Sequence, residues 1–422
     1  MKLFLQNTLT REKDKFEPRN QSGVKLFTCG PSVYNLPHIG NYRTYLFEDI
    51  LERTLEALGY RVKRMINFTD IEDKAVSEAK SLGLKSLSKL TRPNEEQFFK
   101  DAAALGIRLP EKIPRSSASV DQAVYLICRL LEQGQAYWHQ GDVFFDPLSF
   151  EGFGKLYGLD MSRWPDHKIR FRKDTYPGQR WNLGDFILWH GKKEGDPFVW
   201  ETRIGSGRPA WNIQDPAMIS EHLGFELDIC CGGVDNLYRH HDYNIAVMES
   251  LSKTTLAPYW LHGEHLLVDG IKMSKSKGNI VYPEDLFRKG WTSEFLRFFL
   301  LSVHYRSGLN LNSATIDKAW SKFNRLQSLT DEFQKEESTT GKMSLPENSS
   351  LAETFLNGAL VHLADDLDVP STVMFLIKSL EQFQALKLDG LLNRDDQNRI
   401  LSALTRLDRV LGFVCGTNRI CR

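Results

Sequence analysis

The stretch VKLFTCGPSVYNLPHIGN, residues 24–41, decides the fold expected for this chain. It begins with an extended apolar run, Val24–Cys29, and a helical pattern starts near Asn41. A helix is predicted at Tyr42–Leu58, and a second extended run follows at Arg61–Asn67. A strand, a helix and a strand in this order predict a βαβ unit with a parallel sheet.

His38 and Gly40 lie where the extended run gives way to the helix. A helix N-terminus presents free backbone N–H groups and the positive end of its dipole to an anion. Because Gly40 has no side chain, the backbone there can lie close to a flat ligand such as adenine. We therefore expect this segment to bind a nucleotide.

The pentapeptide KMSKS, residues 272–276, follows a strand predicted at His265–Val268. Lys272 and Lys275 carry compact, mobile charges that can follow the negative charge of a triphosphate in its transition state. Ligands of a doubly wound sheet bind at the carboxyl ends of its strands. Since both segments follow predicted strands, we expect them to face one crevice.

The HIG tripeptide at 38–40, followed by the KMSKS segment, resembles the paired motifs of class I aminoacyl-tRNA synthetases. Other segments narrow this resemblance to the cysteinyl-tRNA synthetases, recurring in family order between Lys2 and Phe413. They are CGPSVY at 29–34, NFTDIEDK at 67–74, GRPAW at 207–211, GGVD at 232–235 and HYRS at 304–307.

The resemblance implies ATP and Mg²⁺ as cofactors and attack of an amino-acid carboxylate on the α-phosphate, which forms an aminoacyl-adenylate and pyrophosphate. It assigns catalysis to His38, Asn41, Lys272 and Lys275. It assigns ATP contacts to Gly40, Gly232, Gly233, Asp235, Met273 and Ser274.

The amino-acid pocket departs from the family pattern. There, two cysteines, a histidine and a glutamate hold a zinc ion that selects the cysteine thiolate. Cys29 and His240 match two of these ligands, whereas Asp215 replaces the second cysteine and Asn244 the glutamate. An amide is a poor zinc ligand and a carboxylate is harder than a thiolate, so we do not expect a tightly bound zinc ion. A degenerate metal site of Cys29, Asp215 and His240 is the alternative.

The expected amino-acid pocket consists of Cys29, Ser32, Trp211, Asp215, His240 and Asn244. Trp211 is either a wall of this pocket or a core aromatic. Asp215 either pairs with a cationic group on the substrate or caps a helix that starts at Pro216. Cys230 and Cys231 either join a rearranged metal site or are small buried residues, which we favour.

Composition sets broad limits. A chain of 422 residues can form two or three domains, and 41% hydrophobic with 26% charged residues is ordinary for a globular protein. A net charge of zero gives no global signal for nucleic-acid binding. The six cysteines lack disulfide-scaffold spacing, and we see neither a signal peptide nor an apolar run long enough to cross a membrane. We expect a cytoplasmic protein.

The fold class expected is α/β: a Rossmann-like, doubly wound parallel sheet with a connective insertion, followed by an α-helical bundle. Residues 1–93 and 206–290 are the expected catalytic domain, 94–205 the insertion and 291–422 the bundle. Further predicted elements are a helix at Ser119–Glu132, a strand pair in Ala136–Asp146, a strand at Glu226–Ile229, a helix at Tyr238–Ser252, helices at Ser293–Ser302, Ile316–Glu336, Leu351–Leu367, Ser371–Leu386 and Asp395–Leu411, and a polar loop at Glu337–Asn348.

Cysteinyl-tRNA synthetases usually continue into an anticodon-binding domain, which we do not expect here because only residues 413–422 follow the bundle. This architecture is similar to that of the mycothiol cysteine ligases. Our leading interpretation is an adenylate-forming ligase with altered amino-acid specificity, whose acceptor is a small amine, a carrier protein or a tRNA. One alternative is a genuine but shortened cysteine–tRNA ligase. Another is a catalytically silent binding or regulatory paralogue, against which the intact KMSKS segment argues.

Overall fold

The computed structural model describes residues 1–159, 185–335 and 349–415 of the chain. The first part contains an antiparallel hairpin, a strand–helix–strand unit and two further helices. These elements are β1 (Phe4–Gln6), β2 (Lys13–Lys15), β3 (Val24–Thr28), α1 (Ile39–Ala57), β4 (Val62–Ile66), α2 (Asp73–Ser81) and α3 (Ser88–Ala104). Because β3 and β4 pair in parallel, the predicted βαβ unit is confirmed.

The described residues of the next part include an α-helix and a five-stranded antiparallel sheet with the strand order β5-β6-β7-β9-β8. Its elements are α4 (Val120–Glu132), β5 (Ala136–His139), β6 (Asp142–Phe145), β7 (Phe186–Gly191), β8 (Trp200–Thr202) and β9 (Gly205–Pro209). The helix and the strand pair expected here are confirmed. The boundaries expected for the insertion differ from the element ends, since residue 94 lies inside α3 and residue 205 begins β9.

The α/β pattern then resumes. Its elements are α5 (Trp211–His222), β10 (Ile229–Gly233), α6 (Val234–Asn236), a π-helical turn (Leu237–His241), α7 (Asp242–Ser252), β11 (Tyr259–Gly263), β12 (Leu266–Val268), β13 (Ile271–Lys272) and α8 (Pro283–Phe287). The central parallel sheet has the order β11-β10-β3-β4. Strand order reverses between β3 and β10, which is where an open α/β sheet forms its ligand crevice.

One prediction in this region was wrong, and another is confirmed except for the type of its first turn. The strand expected at Glu226–Ile229 begins only at Ile229, because the carboxylate of Asp228 accepts the N–H groups of Arg19 and Lys25 at 2.6 and 2.7 Å. Those N–H groups are therefore unavailable to a longer strand. The helix expected at Tyr238–Ser252 begins instead as the π-helical turn and becomes α-helical at Asp242.

Within residues 291–335 and 349–415, the last part is helical apart from one strand. It contains α9 (Ser293–Leu301), β14 (Leu309–Leu311), α10 (Ser313–Gln334), α11 (Ser349–Leu363), α12 (Val369–Leu388) and α13 (Arg394–Leu411). The helices expected here are confirmed with small shifts at their ends. The polar loop expected at residues 337–348 and the last seven residues, 416–422, lie outside the described ranges.

Packing on α1 connects the catalytic sheet with the helical bundle. Strand β3 is buried along most of its length, as expected for a parallel sheet covered on both faces. One apolar core joins residues of α1, such as Leu46 and Ile50, to Leu296 of α9 and Leu407 of α13. The predicted α/β class, with a parallel sheet followed by a helical bundle, is confirmed.

Candidate active site

A cleft of about 540 Å³ opens where β3 and β10 end. It brings together residues that are far apart in the sequence. The predicted site residues that line it are Cys29, Ser32, His38, Gly40, Asn41, Trp211, Gly233, Asp235, Lys272, Met273, Ser274 and Lys275. The remaining predicted residues, Asp215, Gly232, His240 and Asn244, are buried behind the lining.

His38 is the N-cap of α1, and its ring accepts hydrogen bonds from amides of the first helical turn. Its Nδ1 accepts from the backbone N–H groups of Gly40 and Asn41 at 3.1 and 3.3 Å, while the Asn41 side chain accepts from the His38 N–H at 2.9 Å. The N–H of Ile39 donates to the Val281 carbonyl at 3.0 Å. The prediction that free backbone N–H groups await an anion here was therefore wrong, because the His38 ring and the Val281 carbonyl accept from them.

Nδ1 of His38 is an acceptor in both cap bonds, so the neutral ring carries its proton on Nε2. Burial lowers the pKa of His38, which keeps the imidazole neutral near pH 7. His38 therefore offers the cleft a neutral N–H donor rather than a positive charge.

Gly40 makes room for the KMSKS segment. A Cβ atom on residue 40 would lie 2.9 Å from the Cε of Met273 and 3.0 Å from the His38 ring. The absence of a side chain therefore allows the KMSKS segment to approach α1, in addition to the expected role next to a nucleotide.

The two KMSKS lysines contact polar side chains from different parts of the chain. Nζ of Lys272 lies 2.6 Å from Oδ1 of Asp235, and Nζ of Lys275 donates to Oδ1 of Asn35 at 2.6 Å. His265 also approaches Asp235, with 3.4 Å between Nε2 and Oδ1. The lysine expected to stabilise phosphate thus lies beside the carboxylate expected to contact ribose.

Gly232 supports the cleft from behind rather than lining it. A Cβ atom there would lie 2.9 Å from the ring of His241, which is fully buried. Nδ1 of His241 lies 2.9 Å from Nε2 of His262, and Thr8 lies 2.8 Å from the other nitrogen of that ring. This histidine pair fills the space beneath the GGVD turn.

Asp215 is the centre of a buried polar cluster beneath the cleft. Its Oδ2 lies 2.8 Å from Nε2 of His240 and 3.7 Å from the Cys29 sulfur, which donates to it, and it accepts from Asn244 at 3.4 Å. Its Oδ1 accepts from Asn67 at 2.9 Å. All of these donors therefore point at one carboxylate.

The helix cap proposed for Asp215 was wrong. Helix α5 begins at Trp211 with Ala210 as its N-cap, so both Asp215 and Pro216 lie inside the helix. Trp211 lines the cleft and stacks on His240, with ring centroids 3.9 Å apart and planes inclined by 7°. Trp211 is therefore a wall of the pocket, and it covers the Asp215–His240 pair.

Cys29 connects the cleft with this cluster. Its sulfur lies 3.8 Å from Nε2 of His240, and burial, with Asp215 second, raises the pKa of the thiol well above its usual range. Without a metal ion the sulfur is therefore a neutral thiol. Cys230 and Cys231 are fully buried in β10 and pack in the hydrophobic core, as favoured.

The residues present fit a three-ligand metal site. Three ligand atoms, one from each of Cys29, Asp215 and His240, lie within 4.8 Å of one another. Sulfur, nitrogen and carboxylate oxygen are all zinc ligands, and three protein ligands leave a position open for substrate. Asn244 directs its amide nitrogen to Asp215, and its Oδ1 has no hydrogen-bond partner among the described residues.

Several residues of the cleft were not among those expected from the sequence. Asn35, which binds Lys275, lies between two quoted motifs, and Thr44 follows the first motif by one helical turn. Lys74 and Lys275 both lie over the ring of Tyr34, at 5.8 and 5.7 Å from its centroid. Lys74 ends the quoted segment at 67–74, which was the available signal.

Solved structures share this fold. The structure of Mycobacterium tuberculosis methionyl-tRNA synthetase with methionyl-adenylate is similar, with a TM-score of 0.66 at 16% identity, covering 92% of this chain and 91% of that chain. This likeness defines the fold as that of class I aminoacyl-tRNA synthetases.

The sequence comparisons give the family. The model of the class I (C) tRNA synthetase catalytic domain matches residues 15–321. Cysteine–tRNA ligases of Chlamydia pneumoniae and Chlamydia muridarum are 37% and 38% identical, covering 99% and 98% of this chain and 88% of each relative. The chain belongs to the class I (C), or cysteine-type, tRNA synthetase family, and is thus a ligase of the kind that forms an aminoacyl-adenylate from ATP and an amino acid. Among the described residues we find no helix with the length and apolar character that crossing a bilayer requires.

Proposed function

We propose that this chain activates a small, uncharged amino acid in the cleft, with side-chain selectivity that differs from that of a four-ligand zinc pocket. The observation that carries the proposal is the buried carboxylate of Asp215, with Cys29, His240, Asn67 and Asn244 arranged around it. This cluster lies beneath the same cleft that holds the KMSKS lysines.

In the proposed reaction, a carboxylate oxygen of the amino acid forms a bond to the α-phosphorus of ATP. The bond from this phosphorus to the bridging oxygen breaks, and pyrophosphate leaves with that electron pair. The Nε2–H of His38 and the ammonium groups of Lys272 and Lys275 would stabilise the added negative charge. Mg²⁺, bound with ATP, would neutralise charge on the phosphates.

The binding of ATP would redistribute existing contacts. Ribose hydroxyls would compete with Lys272 for the carboxylate of Asp235, which the lysine approaches to 2.6 Å. Phosphate oxygens would likewise compete with Asn35 for Lys275. Both lysines are largely exposed, so their release requires little rearrangement.

The geometry of the pocket favours a small and uncharged side chain. Asp215 is fully buried and contacts four side chains, so pairing with a substrate cation would require it to give up one of them. Of Asp215 and the side chains around it, Cys29 lines the cleft, and so does Trp211, which covers His240. A short side chain can pack on these without burying a charge.

A second candidate function is activation of cysteine itself. It is favoured by the metal-compatible spacing of Cys29, Asp215 and His240, and by the curated relatives, which are cysteine–tRNA ligases. A divalent ion held by these three residues would offer a Lewis-acid site for a substrate thiolate. For either amino acid, we propose a tRNA 3′ end as the acceptor, because those relatives match nearly the whole chain.

The test is amino-acid-dependent ATP–pyrophosphate exchange with each standard amino acid, before and after treatment with a zinc-selective chelator, with excess Mg²⁺ in every assay. Elemental analysis of the purified protein gives the metal content in parallel. Exchange with a small amino acid other than cysteine, unaffected by the chelator, supports the proposal. Exchange with cysteine alone, together with about one zinc per chain, supports the second candidate. Absence of exchange, even with tRNA added, contradicts both.

A further inference from the structure

Arg43 is a buried cation in the helix that carries His38 and Asn41. It is 3% exposed and precedes Thr44, which lines the cleft. Burial lowers the pKa of Arg43 to about 10, and the neighbouring Glu264 opposes this shift. A guanidinium remains charged even so, and a buried charge is costly unless its N–H groups are satisfied.

The guanidinium fork binds backbone carbonyls of two separate loops. One terminal nitrogen donates to the carbonyls of Glu264 and His265 at 2.5 and 3.1 Å. The other donates to the carbonyls of His304 and Ser307 at 3.1 and 2.5 Å. A single side chain of α1 therefore holds both loops in fixed positions.

These two loops lead into the sheet that carries the KMSKS segment. The first connects β11 with β12, and the second connects α9 with β14. β12 and β14 pair in parallel, and β12 also pairs with β13, which ends at Lys272. Arg43 thus lies between the His38 side of the cleft and the base of the strands that carry the lysines.

We infer that Arg43 is a positioning residue that sets the spacing between the first turn of α1 and the KMSKS segment. The inference rests on the proposed adenylate chemistry, in which His38 and the lysines act on the same phosphates. Stabilising a transition state requires that these groups hold their relative positions to within a fraction of an ångström. A shift of the three-stranded sheet relative to α1 would misplace the lysines.

Lysine cannot replace Arg43 in this role. Its single ammonium group has no planar fork, so it cannot donate to both loops with the same geometry. The substitution Arg43→Lys keeps the charge and most of the aliphatic stem. It therefore tests the fork while preserving much of the packing.

Arg297 provides a matched control. It is 1% exposed, lies in α9, and its fork donates to the carbonyls of Leu105, Gly106 and Leu411 and to Asp49. It resembles Arg43 in burial and bonding, but the groups that its fork binds lie outside the two loops held by Arg43 and outside the three-stranded sheet. Loss of its fork should lower stability without changing the chemistry of correctly folded molecules.

The experiment compares Arg43→Lys, Arg43→Met and Arg297→Lys with the natural protein. Pyrophosphate exchange is measured below the melting temperature of each variant, and rates are divided by the active sites counted from an adenylate burst. We expect both Arg43 variants to lower kcat per site at least about tenfold, with KM for the amino acid changed less than about twofold. Arg297→Lys should lower Tm and leave kcat per site unchanged.

Hydrogen–deuterium exchange gives a readout that does not depend on activity. Arg43→Lys should speed exchange of the amides in residues 264–272 and 304–311 more than elsewhere. An unchanged kcat per site, or exchange that rises uniformly, would overturn the inference. If the natural protein shows no pyrophosphate exchange, the proposed function fails, whereas the deuterium measurement still decides whether Arg43 holds the two loops.

Discussion

The phosphate side and the amino-acid side of the cleft differ in how they are held together. On the phosphate side, the side chains of Lys272 and Lys275 contact polar groups that ATP would replace in the proposed reaction. On the amino-acid side, Asp215 and His240 are buried and hydrogen-bonded to each other, and Trp211 stacks on His240. The first arrangement suits groups that must exchange partners during a reaction, and the second suits a surface that only has to hold its shape.

The cluster around Asp215 also differs in charge from a metal centre. A metal ion at this place would be a cation surrounded by lone pairs, whereas Asp215 is an anion surrounded by hydrogens. His240 can serve either centre, because its Nε2 can donate a proton or coordinate an ion. A metal-bound state would therefore require the Cys29 thiol to lose its proton and the His240 proton to move from Nε2 to Nδ1.

The largest expected effect is on the phosphate side. Lys272→Ala should slow adenylate formation about 10³-fold, because it removes a charge that is needed mainly in the transition state. Single-turnover adenylate formation measures this rate. Lys277→Ala, which changes the exposed lysine that directly follows the KMSKS segment, should leave it nearly unchanged. Equal effects of both substitutions would show that charge alone, not position, matters here.

The second effect is on the amino-acid side and concerns stability. Asp215→Ala should lower the free energy of unfolding by about 3 kcal/mol, because His240, Asn67 and Asn244 lose a buried acceptor. Urea denaturation measures the change. Glu381→Ala breaks an exposed pair with Arg325 and should cost less than about 1 kcal/mol. A small effect of Asp215→Ala in apoprotein would show that the cluster is not self-supporting.

His38→Asn separates the two tasks of the N-cap residue. Asparagine is a good N-cap, so Tm should change little, but the Nε2–H donor is lost. We expect adenylate formation to slow about 10²-fold. His38→Ala, which removes both cap and donor, should lower the rate similarly and also lower Tm. A normal rate for the asparagine variant would show that capping is the main task of His38.

The smallest effect concerns acid. Burial lowers the pKa of His262 to about 3. Between about pH 6.5 and that value, His262 is therefore protonated in the unfolded chain and neutral in the folded protein. The free energy of unfolding should therefore fall as the pH drops through this window, by about 1 kcal/mol per pH unit from this residue. Denaturation of His262→Asn at pH 7, 6 and 5 should show a shallower loss. An identical slope in both proteins would mean that other groups cause the loss.

The sequence predicted those parts of the molecule that depend on local signals. The βαβ unit, the α4–β5–β6 region and the bundle helices follow from apolar periodicity. The residues of the cleft followed from family motifs, and the fold brings them to one place because strand ends meet at the switch point. The assigned roles of these residues stay predictions.

Other features depend on contacts that no local pattern reports. Pro216 suggested a helix start, but α5 begins at Trp211. Asp215 therefore lies inside the helix and under the cleft. The π-helical turn that presents His240 has no apolar period of its own. The bonds of Arg43 go to backbone carbonyls more than 200 residues away, and carbonyls are the same in every sequence.

Because the N–H groups of Gly40 and Asn41 in the first turn of α1 are bonded to the His38 ring, the helix reaches the cleft through an imidazole rather than through those amides. The His38 ring therefore lies between the positive end of the helix dipole and the cleft. Rotation of that ring away from the substrate requires both cap bonds to break. The orientation of the donor is therefore thermodynamically linked to fraying of the first helical turn, and local unfolding of a few residues is equivalent to switching the donor off.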